Sequence, residues 1–133
     1  MRMLGLRFVG WRKRAAAEID ALLEGVLGPV ATRWQIQCKN TPSSAVRLED
    51  IAKEVGLVPI TGATHLLFIA NARFSSDAVE YARKVSKRAA VGIYLLDRDD
   101  FNALRKSPMS IARLLRVRAE EMLDSGRPEM YGR

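Results

Sequence analysis

Apolar and polar residues alternate along the first forty positions and then change to a helical spacing. In residues 4–11 (LGLRFVGW), Leu4, Leu6 and Phe8 alternate with other residues and Trp11 falls just off the period, which predicts a strand. Residues 17–23 (AEIDALL) have the propensity for a short helix, but Gly25, Gly28 and Pro29 bound them closely. A second strand is the expectation there, with 24–32 as a turn. Residues 33–39 (RWQIQCK) alternate cleanly, with Trp34, Ile36 and Cys38 on one face and Gln35, Gln37 and Lys39 on the other. Turn residues then mark 40–44 (NTPSS) as a loop.

Beyond the loop, Leu48, Ile51, Ala52 and Val55 recur at i, i+3, i+4 and i+7, predicting a helix over 48–55 that stops at Gly56. Residues 57–63, with Pro59 and Gly62, read as a connection. The continuous apolar run 65–70 (HLLFIA) suits a strand covered on both faces. Ser75 is the expected N-cap of a helix over 75–87, with Phe74 stapling onto Val79 and with Ala78, Val79, Ala82 and Val85 as its buried stripe. A second apolar strand follows at 91–96, so the strand–helix–strand unit implies two parallel neighbours. Asp97, Asp99 and Asp100 then end the strand and cap a turn, and Ser107-Pro108 opens a last helix, 108–123. The fold class that follows is α/β, with a mixed sheet that is antiparallel at its start and parallel at its end.

The 133 residues fit one domain, placed at 1–123 with a polar tail at 124–133. One cysteine and one histidine exclude an intramolecular disulfide, a four-thiolate zinc site and any His-pair metal motif. No apolar run reaches membrane-spanning length and the N-terminus lacks the pattern of a signal peptide, so the expectation is a reduced, cytoplasmic protein with no membrane partner. Lys and Arg number 22 against 15 Asp and Glu, a net charge of +7. Such a surplus suits a polyanion, since each neutralised phosphate releases counterions. A solvated surface that happens to be basic is the competing reading.

If 17–23 and 33–39 are neighbouring strands, Asp20 can lie beside the face carrying Gln37 and Lys39. An acid, an oxygen ligand and an amine at one end of a sheet are what metal-assisted phosphodiester hydrolysis requires. On spacing alone, three solvated polar residues on edge strands explain the pattern as well.

The string AEIDAL followed by WQIQCKN resembles the core of the PD-(D/E)xK nuclease superfamily, closest to Mrr-type restriction endonucleases, where Gln commonly stands first in the final triplet. FIANARFSSDAVEYARK and VGIYLLDRDDF resemble that family's later strand–helix and closing strand, so the likeness runs from about residue 5 to residue 104 in order. The resemblance implies a restriction-endonuclease-like fold, a mixed central sheet of about five strands flanked by helices. It implies a metal-dependent DNA endonuclease using Mg²⁺ or Mn²⁺, with Asp20 and Gln37 as metal ligands, the Cys38 backbone carbonyl as another, and Lys39 as the catalytic amine. The alternative is a weak or inactive nuclease-fold module that binds DNA or a partner subunit.

This sequence departs from the family in two places. Gln37 is neutral, which leaves Asp20 as the single predicted carboxylate ligand; Glu18, two residues away on the same strand face, is either an extra acid or a salt-bridge partner. The chain also begins almost at its first strand, so the helix that usually precedes it is expected to be missing, truncated or supplied by a partner. Without that helix Leu6, Phe8 and Ile36 would lie bare, and a homodimer or the last helix folding back would cover them. Trp11, Arg12, Lys13 and Arg14 are candidate DNA contacts flanking the site, or else a solvated turn. Cys38 reads as a structural thiol and His65 as a hydrogen-bonded core histidine. Lys53 and Glu54 read as surface residues, and Arg113, Arg116 and Arg118 as an extended basic surface or as partners of Glu120 and Glu121.

Overall fold

The computed structural model describes residues 6–15, 18–27 and 30–126, and the side chains of residues 10, 21–26 and 30–121. Three strands of ten residues each, β1 (Leu6–Ala15), β2 (Glu18–Leu27) and β3 (Val30–Lys39), form an antiparallel meander. Helix α1 (Leu48–Val55) and the single turn α2 (Val58–Thr61) lead to β4 (His65–Ala70), parallel to β3. Helix α3 (Ser76–Arg88) then crosses to β5 (Gly92–Leu96), parallel to β4. The chain finishes with α4 (Arg98–Lys106), a 3-10 turn at Pro108–Ser110 and α5 (Ile111–Gly126). The sheet is five-stranded in the order β1-β2-β3-β4-β5, the mixed architecture expected.

Several boundaries differ from expectation for physical reasons. The predicted turn 24–32 is mostly strand: Glu24 to Leu27 pair with Arg33 to Val30, so the two strands run to within two residues of each other. Gly25 sits within this ladder, opposite Thr32, and does not end the strand. Trp11 falls off the sequence period because the register shifts between Phe8 and Gly10. That bulge adds one residue and returns Trp11 to the register row of Ala21. The run 12–14 is strand rather than turn. Helix α4 has only a short apolar edge, Phe101 and Leu104, of which Leu104 packs on the α5 layer. Its first turn is capped: Asp97 Oδ1 accepts from the amides of Asp99 and Asp100, while Asp100 Oδ2 accepts from the amide of Asp97. The last helix begins at Ile111 after the 3-10 turn and runs past residue 123.

The alternating strands divide their side chains between two layers. One layer joins Leu66, Phe68, Ala70 and Ile93 to Val46, Ile51, Ala78 and Ala82, under α1 and α3. The other joins Leu23, Trp34, Ile36, Leu67 and Leu96 to Ile111 and Leu115 of α5. Leu66 and Leu67 are both fully buried, as the apolar run at 65–70 implied. Within α3, Ser75 Oγ caps Ala78, and Ala78 and Ala82 are buried, whereas Val79 is 38% exposed and lies outside the stripe. Ile36, 6% exposed, is covered by α5 of its own chain, so it needs no second protomer; the side chains of Leu6 and Phe8 lie outside the described residues. On the α5 face Trp34 stacks on His65 at 4.5 Å between centroids, and Tyr94 lies 5.5 Å from Trp34. Gly92 makes room for this stack, because a Cβ there would come within 2.7 Å of the His65 ring. Among the described residues no helix is long and apolar enough to cross a membrane.

Candidate functional site

Gln35, Gln37 and Lys39 share the α1/α3 face of β3, since successive strand residues alternate sides. On β4 and β5 this face is apolar, with Phe68 beside Gln37 and Ala70 beside Lys39. Toward the carboxyl end of β3 it is polar, with Gln35, Gln37 and Lys39. In register, Asp20 pairs with Gln37 and Glu18 with Lys39, while Arg12 of β1 pairs with Asp20. The backbone therefore brings Asp20, Gln37 and Lys39 to one face at the carboxyl end of β3. The side chains of Glu18, Asp20, Trp11, Arg12, Lys13 and Arg14 lie outside the described residues, so their placement is one of register alone.

Helix α1 crosses over this polar patch. Its Asp50 accepts at Oδ1 from the Lys39 ammonium, 2.8 Å away, and at Oδ2 from the Arg47 backbone amide at 2.9 Å. Burial works against ionisation of Asp50, but the Lys39 and Arg47 hydrogen bonds and charges outweigh it and hold the carboxyl below its ordinary value. One turn later Glu54, only 3% exposed, accepts at Oε2 from the Gln35 side-chain amide at 2.8 Å. Gln35 Oε1 in turn accepts from Thr61. Glu54 is thus an interior residue rather than the surface one expected. A small cavity of about 20 Å³ lies between helix and sheet, lined by Gln37, Lys39, Asp50, Lys53, Phe68 and Phe74. Gln37 is 7% exposed.

The loops around this end of the sheet are tied to one another. Asn71 N donates to Lys39 O, Val46 N to Arg73 O, Ser75 N to Val46 O, and Arg98 N to Ala72 O. The Arg98 guanidinium reaches the Pro42 carbonyl at 3.0 Å. Cys38 points to the opposite face, half-buried against the α5 cluster, which leaves its carbonyl as the group relevant to the site.

Sequence reasoning missed Asp50 and Glu54. Their i, i+4 spacing beside Ile51 and Val55 was the available signal, because it sets both carboxyls along the edge of the stripe that packs on the sheet. Elsewhere, Arg118 is tied to buried Asp100 at 2.6 Å and to Glu121, so it does not extend a basic surface, while Arg113 and Arg116 are exposed. His65 meets Thr64 Oγ1 at 2.8 Å, and burial holds it below the ordinary histidine value. A larger groove of about 270 Å³ lies beside β5, lined in part by Arg83, Asp97, Arg118 and Glu121; of the predicted site residues with described side chains, none lines it. Among the described residues no three His, Cys, Asp or Glu side chains cluster as metal ligands.

A family model described as restriction endonuclease, of the Mrr catalytic type, matches residues 1–105. No curated protein sequence matches the chain. Among solved structures, the DNA modification-dependent restriction endonuclease AspBHI is similar, at 11% identity and a TM-score of 0.47 over 90% of this chain and 30% of its own. The MspJI restriction endonuclease, solved with a 27-mer oligonucleotide, is similar at 16% identity and 0.48, over 92% of this chain and 28% of its own. The chain therefore spans less than a third of either protein.

Proposed function

Since the chain belongs to the restriction endonuclease family of the Mrr type, we propose that it is a metal-dependent DNA endonuclease, built as one catalytic domain over 1–123. The observation that carries the reading is the register of β2 on β3, in which Asp20 stands opposite Gln37 and two residue pairs along the ladder from Lys39. The donor set suits a hard divalent cation, Mg²⁺ or Mn²⁺: the Asp20 carboxylate, the Gln37 amide oxygen and the Cys38 carbonyl are all oxygens. When bound, such an ion supplies Lewis-acid stabilisation to the phosphoryl oxygens and lowers the pKa of a bound water.

The chain's own residues do the rest. Lys39 presents an ammonium to the phosphate, where it orients the attacking water or offsets the charge that develops on the equatorial oxygens. Water attacks phosphorus, the P–O3′ bond breaks, and the products are a 5′ phosphate and a 3′ hydroxyl. Phe68 and Phe74 form part of the cavity wall beside Gln37 and Lys39. Trp11, Arg12, Lys13 and Arg14 would hold the backbone of the substrate through phosphate contacts. Glu18, in register with Lys39, is the further acid within reach of the same row.

One observation favours a second reading. Gln37 carries no charge, so the proposed ligand set holds a single carboxylate, which suits a weak nuclease or a module that binds DNA without cutting. Nicking of supercoiled plasmid by the purified chain, with Mg²⁺ or Mn²⁺, decides between them. Metal-dependent nicking lost in Lys39→Ala and Asp20→Asn supports the nuclease; salt-sensitive DNA binding without nicking supports the binding module. Binding should weaken with a slope of log K against log salt of about −0.9 per phosphate contact.

A further inference from the structure

Asp50 has no part in the proposed ligand set, yet its carboxylate meets the Lys39 ammonium at 2.8 Å. We infer that Asp50 is a positioning residue: its Oδ1 holds the Lys39 ammonium at the rim of the cavity beside Gln37, while its Oδ2 anchors that hold to the first turn of α1. The catalytic meaning of this inference rests on the nuclease reading above.

Three observations carry it. The two oxygens of Asp50 do different jobs, since the Arg47 amide occupies Oδ2 and the helix end is served without Oδ1. Oδ1 is then available to the ammonium at 2.8 Å, and the pair is largely enclosed, with side-chain exposures of 18% for Lys39 and 27% for Asp50. An exposed ion pair fixes little, because both side chains lose rotamer freedom to make it. Enclosure between helix and sheet removes most of those rotamers in advance.

The second observation is a repeat of the contact. Glu54 meets Gln35 four residues along both elements from where Asp50 meets Lys39. The two polar contacts bracket Gln37, so α1 is pinned to β3 on either side of the proposed metal ligand. The third is the backbone around them: Lys39 O accepts from Asn71 and Val46 is tied to the loop after β4, so both ends of the Lys39–Asp50 pair stand on fixed main chain. A lysine amine on a four-carbon stem is a mobile group. Here the Asp50 carboxylate gives it an address at the rim of the cavity.

Asp50→Asn separates the two jobs. The asparagine oxygen can still accept from Arg47, but its amide cannot accept from an ammonium. Single-turnover nicking of supercoiled plasmid, in a chain also melted to check its fold, should fall by about a hundredfold. The same substitution in a Lys39→Ala background should cause no further loss. Asp50→Glu, which keeps a carboxylate and a helix-capping oxygen, should recover most of the rate. Independently of activity, acetylation of Lys39 by an amine-reactive reagent, read by peptide mass spectrometry, should speed up at least several-fold in Asp50→Asn while Lys53 labels as before. Unchanged nicking, an equal loss in the Lys39→Ala background, or Lys39 labelling that Asp50→Asn leaves unchanged would each overturn the inference. If the wild-type chain does not nick, the nuclease reading fails on its own, and the acetylation rates still decide whether Asp50 holds Lys39. If Asp50→Asn does not fold, Asp50→Glu carries the test: Lys39 as exposed to acetylation as an unpaired surface lysine in both it and the wild type overturns the hold.

Discussion

Strand β3 has two faces of very different character. Trp34 and Ile36 on one are buried by α5 and the neighbouring strands, a contact of apolar surfaces with the Trp34–His65 stack at its edge. Gln35, Gln37 and Lys39 on the other are met by α1 through an amide–carboxylate and an ammonium–carboxylate contact. Apolar packing would hold a helix on a sheet as well, and desolvating charges is costly even when they are paired. A strand that uses apolar packing on one side and polar contacts on the other therefore separates the task of holding the fold from the task of holding chemistry. On β3, the side toward α5 stabilises and the side toward α1 positions.

That separation can be broken from either side. Lys39→Ala should lower plasmid nicking by about 10²- to 10³-fold, with a urea midpoint close to wild type. Leu67→Ala, on the α5 face and fully buried, should do the reverse. It should cost about 2–5 kcal/mol of unfolding free energy in urea titrations, with nicking near normal at temperatures where the chain stays folded. A nicking loss in Leu67→Ala as large as that in Lys39→Ala would show that the faces are not independent.

The polar contact deeper in the structure should lie between these extremes. Gln35→Leu removes the amide donor from buried Glu54 and should cost about 1–3 kcal/mol in the same titration. Its effect on nicking should be smaller than that of Asp50→Asn, because Gln35 reaches no group that meets the substrate.

The smallest effect is in pH. Burial disfavours the charged form of His65, so the unfolded chain binds the extra proton more readily than the folded one. Stability from this group is present above the ordinary histidine value of 6.5 and is lost as pH falls below it toward the lower folded value. Asp50 works in a separate window, since its contribution is lost only below its ordinary 3.8. Between about pH 7 and about pH 5, His65→Phe should flatten the fall in urea midpoint seen in the wild type. A steeper fall in the variant would reverse the sign assigned to the histidine.

How far the sequence disclosed these faces depended on which force built each part. Strand alternation in 33–39 assigned Trp34 and Ile36 to one side and Gln37 and Lys39 to the other, and the packing agrees, with the first pair in the α5 cluster and the second lining the cavity under α1. The helix at 48–55, the strand at 65–70 and the Ser75 cap were equally legible, because each rests on local period or a capping residue. Helix α4 was missed because its apolar edge is only Phe101 and Leu104, too short to show a period, and its Asp97–Asp100 cap alone reads as a turn. The predicted turn at 24–32 failed because cross-strand pairing overrode the local preference of Gly25. Asp50 and Glu54 were missed for a different reason. Their spacing set both along the edge of the apolar stripe, but the residues they meet depend on α1 lying over β3.

The ties between the loops at the carboxyl end of the sheet have a consequence for exchange with solvent. The amides of Asn71, Val46, Ser75 and Arg98 each donate to a carbonyl in another loop or in β3. None can be freed without parting the segment that accepts it. Loop amides ordinarily exchange through fraying of single residues, at little cost in free energy. These four should instead report one shared opening event, with similar protection factors that fall together as denaturant is added. The amides of exposed Ser43 and Ser44, close by in sequence, should exchange ahead of them. The rim around Lys39 would then open as a single gate with one equilibrium constant, rather than as several loops that loosen separately.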